Sequence, residues 1–219
     1  MAGGMLTVWN DVDPGFEDRY EAWYQADHLR DRLRVPGFIS ARRHRRVLGE
    51  GREFFTFYSV ETLEVLSSPA YIQRLFNLTD ETRVVMPHFR RLVRAPCGVL
   101  LDVGDGAGGF VGTLVLERCG PHDVIRNSVS AAMEALIQNP RITRGRLLQA
   151  NYKENTVINE EDKLRPDPSL KLELAILIEG TDATAVSKAL SALGDLPAIA
   201  GAHRVVPPST YQMIFASRD

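Results

Sequence analysis

The sequence predicts an α+β protein built from two tandem βαββαβ units, and three observations lead there. The order strand, helix, two strands, helix, strand runs once from Met5 to Val103 and again from Val111 to Ser217. A glycine-rich stretch, Gly104-Asp105-Gly106-Ala107-Gly108-Gly109, separates the two passes. Turn residues recur at matching points: setting Pro14 against Pro121 and Pro36 against Pro140 brings Arg42 close to Arg144 or Arg146. Such repetition reads as an internal duplication, with residues 1–104 as the first unit and 109–219 as a second, degenerate one. Each unit would form a four-stranded antiparallel sheet with two helices on one face. Two such sheets can cover one another's open faces, so a single chain would close a barrel with approximate two-fold symmetry.

The elements follow in order. Met5 to Trp9 is a short apolar strand, and Asn10-Asp11-Val12-Asp13-Pro14-Gly15 is turn chemistry leading into a helix. That helix spans Phe16 to Arg34 and stops at Pro36-Gly37. Phe38 to Leu48 and Glu53 to Val60 read as a hairpin around Gly49-Glu50-Gly51. Leu63 to Met86 is helical with a break at Ser67-Ser68-Pro69, and His88 to Val103 is strand material interrupted at Pro96. In the second pass the strands are Val111 to Arg118, Ile142 to Tyr152, Leu170 to Ile178 and Thr210 to Ser217, with helices over Asp123 to Gln138 and Asp182 to Leu193. Lys153 to Ser169 reads as a polar loop whose Glu160, Glu161, Asp162 and Asp167 are solvated or mobile.

Composition narrows the functional classes. The chain has 219 residues, 44% of them hydrophobic and 25% charged, enough for a substantial core. A net charge of −2 supplies no field to attract nucleic acid or an anionic membrane. No stretch approaches the roughly 20 apolar residues of a membrane span, and the N-terminus lacks a secretory pattern. Cys97 and Cys119 have no metal-ligand spacing; a disulfide between them is the lesser reading, and a reducing, cytoplasmic setting the greater. The five histidines, 28, 44, 88, 122 and 203, fit no metal motif, so neither metal nor cofactor is called for. Gly104-x-Gly106-x-x-Gly109 matches a dinucleotide fingerprint in form, but a strand follows it where that chemistry needs a helix N-terminus.

One segment stands out: WYQADHLRDRLRVPGF, Trp23 to Phe38. At about 100° per residue, Phe16, Tyr20, Trp23 and Tyr24 share one arc of the helix with Asp27, and His28 lies at its edge. Histidine is the side chain best suited to move a proton near neutral pH, so His28 can be read as a general acid/base in an aromatic-lined pocket. It can equally be read as a border histidine over a core of Trp23 and Tyr24. On the strand Arg42-Arg43-His44-Arg45-Arg46, alternation sends Arg42, His44 and Arg46 to one face. That set would suit an anionic substrate group, or it would be the charged rim of an edge strand.

The same residues resemble a known pattern. Trp23, Tyr24, Asp27, His28 and Leu29, followed by Pro36, Gly37, Phe38 and Arg42, are similar to the W-Y-x-x-[ED]-H-L helix and P-G-F/I strand of EthD-like proteins, in the dimeric α+β barrel superfamily. Ser68-Pro69-Ala70-Tyr71, within YSVETLEVLSSPAYIQRL, resembles a further segment of such proteins. The resemblance covers about the first hundred residues and implies a tandem ferredoxin-like barrel, a fused pseudo-dimer in which one unit keeps the site. It implies a pocket between the first helix and its sheet, for an aromatic or polyketide-like anionic compound. There His28 would transfer a proton, Tyr24 orient the substrate and Asp27 provide a polar neighbour, with Trp23, Arg42 and His44 contacting the ligand. A monooxygenase, isomerase or lyase without a cofactor is one expectation, and a non-catalytic ligand-binding protein is the other. Haem with His28 as axial ligand is a third, and pairing of two chains into a homodimer remains open.

Overall fold

The computed structural model of the chain describes residues 3–118, 120–154 and 160–217. Its strands are β1 (Gly4–Val12), β2 (Phe38–Gly49), β3 (Phe54–Val60), β4 (Phe89–Gly104), β5 (Phe110–Arg118), β6 (Ile142–Ala150), β7 (Leu174–Gly180) and β8 (His203–Ala216). They form two antiparallel sheets, β4-β1-β3-β2 and β8-β5-β7-β6, and the pairs β2–β8 and β4–β6 join these into one closed barrel. Helices α1 (Glu17–Trp23), α2 (Leu29–Leu33), α3 (Pro69–Phe76) and α4 (Asp80–Val85) cover the first sheet. Helices α5 (His122–Leu136) and α7 (Ala183–Gly194) cover the second, while a short α6 (Glu160–Leu164) lies in the connection between β6 and β7.

Strand alternation divides the apolar residues into three layers. Met5, Trp9, Phe55 and Phe57 point into the barrel, where they meet Val111, Val115, Ala175 and Leu177 of the second sheet. Leu6, Val8, Phe54 and Tyr58, one residue out of phase, point outward beneath α1 to α4. Leu114, Leu116, Ile176 and Ile178 do the same beneath α5 and α7. Inside the barrel, Trp9 stacks on Phe55 at 4.7 Å and donates its indole N–H to Thr113 at 3.2 Å. At one mouth of the barrel, Arg42 of β2 and Arg146 of β6 converge on Glu179, at 2.9 and 2.5 Å, and Arg144 forks onto Asp102.

Several sequence expectations change. Strand β2 is not an edge, since it pairs with both β3 and β8. Strand β4 runs unbroken through Pro96, whose carbonyl accepts from Asn151. The ladder to β6 on that side begins only at Cys97, so the missing N–H of Pro96 costs no strand pairing. Strand β8 starts at His203 and passes through Pro207 and Pro208, where its register against β5 shifts. The thiol of Cys97 is free and fully buried, and burial pushes its pKa up to about 12; Cys119 lies outside the described residues.

Candidate functional site

The first helix is not continuous α-helix. Between α1 and α2 the chain makes a π-turn over Tyr24–His28, closed by the Leu29 N–H donating to the Tyr24 carbonyl. A π-turn accommodates an extra residue, so every side chain after it is rotated from its place on a 100° wheel. The consequence falls on the Asp27-His28 pair. Asp27 turns outward and accepts a hydrogen bond from the Thr79 hydroxyl at 2.5 Å, tying the π-turn to the N-cap of α4. His28 turns inward, its ring 4.4 Å from Trp23 and 5.0 Å from Tyr24. Asp27 is therefore not a polar neighbour in the aromatic arc, as the α-helical wheel implied; it holds the turn that aims His28.

His28 opens on a cavity of about 30 Å³ between these helices and the first sheet. Leu6 and Val8 form its floor, with Tyr58 from β3 and Leu92 and Arg94 from β4; Tyr24, His28, Arg32 and Tyr71 form its helical walls. Glu161 and Arg165, from the β6–β7 connection, close it. That volume holds one or two waters. The polar groups lining it are engaged with one another. Arg32, 3% exposed, binds Glu161 and also Asp31 at 2.9 Å. Arg165 reaches Glu161 at 3.4 Å, Arg94 donates to the Tyr71 hydroxyl at 2.6 Å, and the Tyr58 and Tyr24 hydroxyls lie 3.4 Å apart.

His28 is the exception: among the described residues no hydrogen bond reaches either ring nitrogen. Its pKa lies well below the ordinary imidazole value, chiefly through burial and then through the positive charge of Arg32, Arg165, Arg43 and Arg94. The ring is thus neutral at physiological pH, with a lone pair available to accept a proton. Burial, with Tyr24 alongside, likewise holds the Tyr58 phenol protonated.

The remaining sequence candidates separate. Trp23 is buried beside His28 and donates its indole N–H to Thr82 at 3.1 Å, so it positions the ring without lining the cavity. Arg42 and His44 are on the opposite face of the sheet, inside the barrel, and do not share a cavity with His28. Arg42 is bound to Glu179 and borders a separate space of about 350 Å³ at the barrel mouth. His44 is stacked between Phe55 and Phe57 with Nδ1 3.3 Å from the Phe55 carbonyl, and burial pulls its pKa down to about 3. It behaves as an uncharged core residue. Between them on the strand, Arg43 points the other way, toward the helices, where Tyr20, Tyr24 and Phe54 surround its guanidinium at 5.2, 4.1 and 5.9 Å. Its nearest carboxylate, Glu21, is 3.6 Å away.

Sequence reasoning missed Arg32, Arg94, Arg165, Glu161, Tyr58 and Tyr71. Arg32 had a signal, since it lies one α-turn after His28. Glu161 had none: the acidic, proline-bounded run EEDKLRPDP has the composition of a solvated loop, yet Glu161 is 4% exposed and paired with two arginines.

No protein-family model matches the chain, and no curated protein is detectably similar to it in sequence. Solved structures are similar in shape. An anthrone oxidase-like protein superposes with a TM-score of 0.59 at 12% identity, over 99% of this chain and 95% of the other. A candidate monooxygenase from Fusobacterium nucleatum gives 0.56 at 13%, over 100% and 95%. A heme-binding protein from Thermus thermophilus gives 0.51 at 11%, over 98% and 92%. At these identities the likeness concerns the fold alone: an α+β barrel closed within one polypeptide. The space facing His28, about 30 Å³ and bounded by Glu161 and Arg165, is far smaller than a porphyrin or any aromatic ligand, so either would need a wall to move.

Proposed function

Taking this α+β barrel as the premise, we propose that the chain is a small-molecule enzyme in which His28 is the general base. It would act on an aromatic or polyketide-like compound with an acidic C–H or O–H, the reading its EthD-like segment also favours. The carrying observation is an uncharged imidazole without a hydrogen-bond partner, opening on a cavity ringed by arginines. The proton passes from substrate to a ring nitrogen of His28, leaving an enolate or phenolate on the substrate. The positive charge of Arg32, Arg94 and Arg165 weakens His28 as a base, but the same charge stabilises the anion formed on the substrate. The hydroxyls of Tyr24 and Tyr58, 3.4 Å apart, can donate to the developing oxyanion, and burial holds that of Tyr58 protonated. No resident cofactor is required for this step.

The test reads proton abstraction alone. Anthrone, the compound class in the name of one structural neighbour, carries an acidic CH2 group beside its aromatic rings. In D2O the protein should accelerate loss of that CH2 signal in the proton NMR spectrum. His28→Ala should lose the acceleration by about 10²–10⁴-fold, the usual contribution of a positioned general base. Retained acceleration in a folded His28→Ala protein would remove His28 from the chemistry. The second reading, a non-catalytic ligand-binding protein, predicts that such compounds raise the melting temperature without exchange.

A further inference from the structure

The site already contains a carboxylate, and it belongs to the protein. Between β2 and β3 the first unit turns tightly at Gly49–Glu53, whereas the matching β6–β7 connection of the second unit is long and crosses to the first unit. It places Glu161 against Arg32, a partner 129 residues away in sequence. The remaining cavity, about 30 Å³, is an order of magnitude below the roughly 300 Å³ or more of ordinary ligand pockets. An aromatic compound enters only if a wall yields.

The walls differ in how they are held. Leu6, Val8 and Tyr58 are on barrel strands, paired on both sides. Helix α6 has a single turn and a half, and only Leu164 and Glu161 of it reach the core. Beyond it the Ser169 hydroxyl accepts from the Arg94 backbone N–H at 2.9 Å, and the Leu170 N–H donates to the Leu92 carbonyl at 2.9 Å. A segment with few buried contacts, anchored beyond its end, opens at lower free energy than the strands beneath it.

We propose that Glu161 occupies the carboxylate subsite of this pocket and that the ligand is an aromatic carboxylate, which binds by displacing it. The exchange is charge for charge. Arg32 keeps Asp31 and trades one carboxylate for another, and Arg165, which also loses Glu161, keeps Asp162 at 2.8 Å, so neither buried cation is left without a carboxylate. A neutral compound of the same shape would expel Glu161 without replacing it at Arg32, and so binds more weakly than the acid. Displacement carries α6 outward and gives the ring of the ligand the space beside Tyr71, Met86 and Phe89. This rests on the pocket assigned above and adds to it the ligand's charged group and what competes for its place.

The experiment titrates benzoate and 2-naphthoate, with benzamide as neutral control, into the full chain by calorimetry. Glu161→Gln removes the competing charge with little change of shape. It should bind both acids at least tenfold more tightly than wild type, with benzamide weak in both. Because Glu161→Gln could disturb folding, trypsin cleavage after Lys163 is followed in the wild-type protein, where saturating 2-naphthoate should speed it by freeing α6. Equal acid affinity in the two proteins, with cleavage slowed by ligand, overturns displacement but leaves the pocket assignment standing. No acid binding to either protein overturns both.

Discussion

The two helix-covered faces of the barrel share a backbone plan and almost nothing else. In the first unit Phe38 pairs with Val60 and the register shifts before Ser40 meets Ser59; in the second Ile142 pairs with Gly180 and shifts before Arg144 meets Glu179. Carried along those ladders, Ala41, Arg43 and Tyr58 match Gly145, Leu147 and Ile178, and Leu6 matches Gly112. The second face is therefore aliphatic. Its glycines let helices descend onto the sheet: a Cβ on Gly112 would lie 2.6 Å from Leu190, and one on Gly145 3.0 Å from Met133. The first face carries a leucine, a tyrosine and an arginine at the matching places, under a π-turn, and encloses the cavity. Symmetry in the strands supports both, and a pocket exists only where side chains with polar ends replace close aliphatic packing.

The sharpest way to break this comparison is to exchange the residues. Leu147→Arg buries a guanidinium with no aromatic cage and no carboxylate matching Glu21, and should cost about 3–5 kcal/mol in urea denaturation or prevent folding. The reverse change, Arg43→Leu, removes a buried charge that makes no good hydrogen bond and should stay within about 1 kcal/mol of wild type. Equal tolerance of both would mean that the faces do not differ as described.

Gly112→Leu gives the second face the residue the first one has. Its side chain meets Leu190 and Val186 at once, so overpacking of about 1–3 kcal/mol is expected, read as a lower urea midpoint. A neutral outcome would show that α7 can lift as α1 does.

Acid should act through the histidines of the first unit. His28 and His44 both bind protons less well folded than unfolded, so stability is complete above the unfolded value of about 6.5 and falls as pH drops toward their folded values. For His44, with a folded value of about 3, the loss at pH 5 is about 2 kcal/mol. Melting curves at pH 7.5 and 5 should show it, and His44→Phe should remove its share, leaving that of His28. A small stability effect is also expected of His28→Ala. Its ring contributes stacking alone, worth about 1 kcal/mol, while the ligand response should vanish. A large fall in melting temperature with the response intact would return His28 to the core.

Much of the fold can be read from local patterns. Period-two strands, the Asp-Pro and Pro-Gly turns and the glycine stretch are short-range signals, and they place most elements within a few residues. The failures are non-local. Pro96, Pro207 and Pro208 argue against strand when viewed alone, and are accommodated because their neighbours leave those positions unpaired or bulged. Of the candidate site, Tyr24 and His28 are recoverable from the helix itself and come together in the cavity. Arg42 and His44 are misplaced because alternation tells which residues share a face but not which face looks at the helices.

What the sequence determines unaided is the order of the elements, the recurrence of that order in both halves, and an aromatic helix with a histidine on it, since all of these are encoded within a few turns of chain. Only the tertiary structure decides that the π-turn sends His28 inward and Asp27 outward, and that a carboxylate from the second unit closes the first unit's pocket. The reason is physical: Arg32 and Glu161 become neighbours solely because β4 pairs with β6 and the barrel closes, and no local preference carries that information.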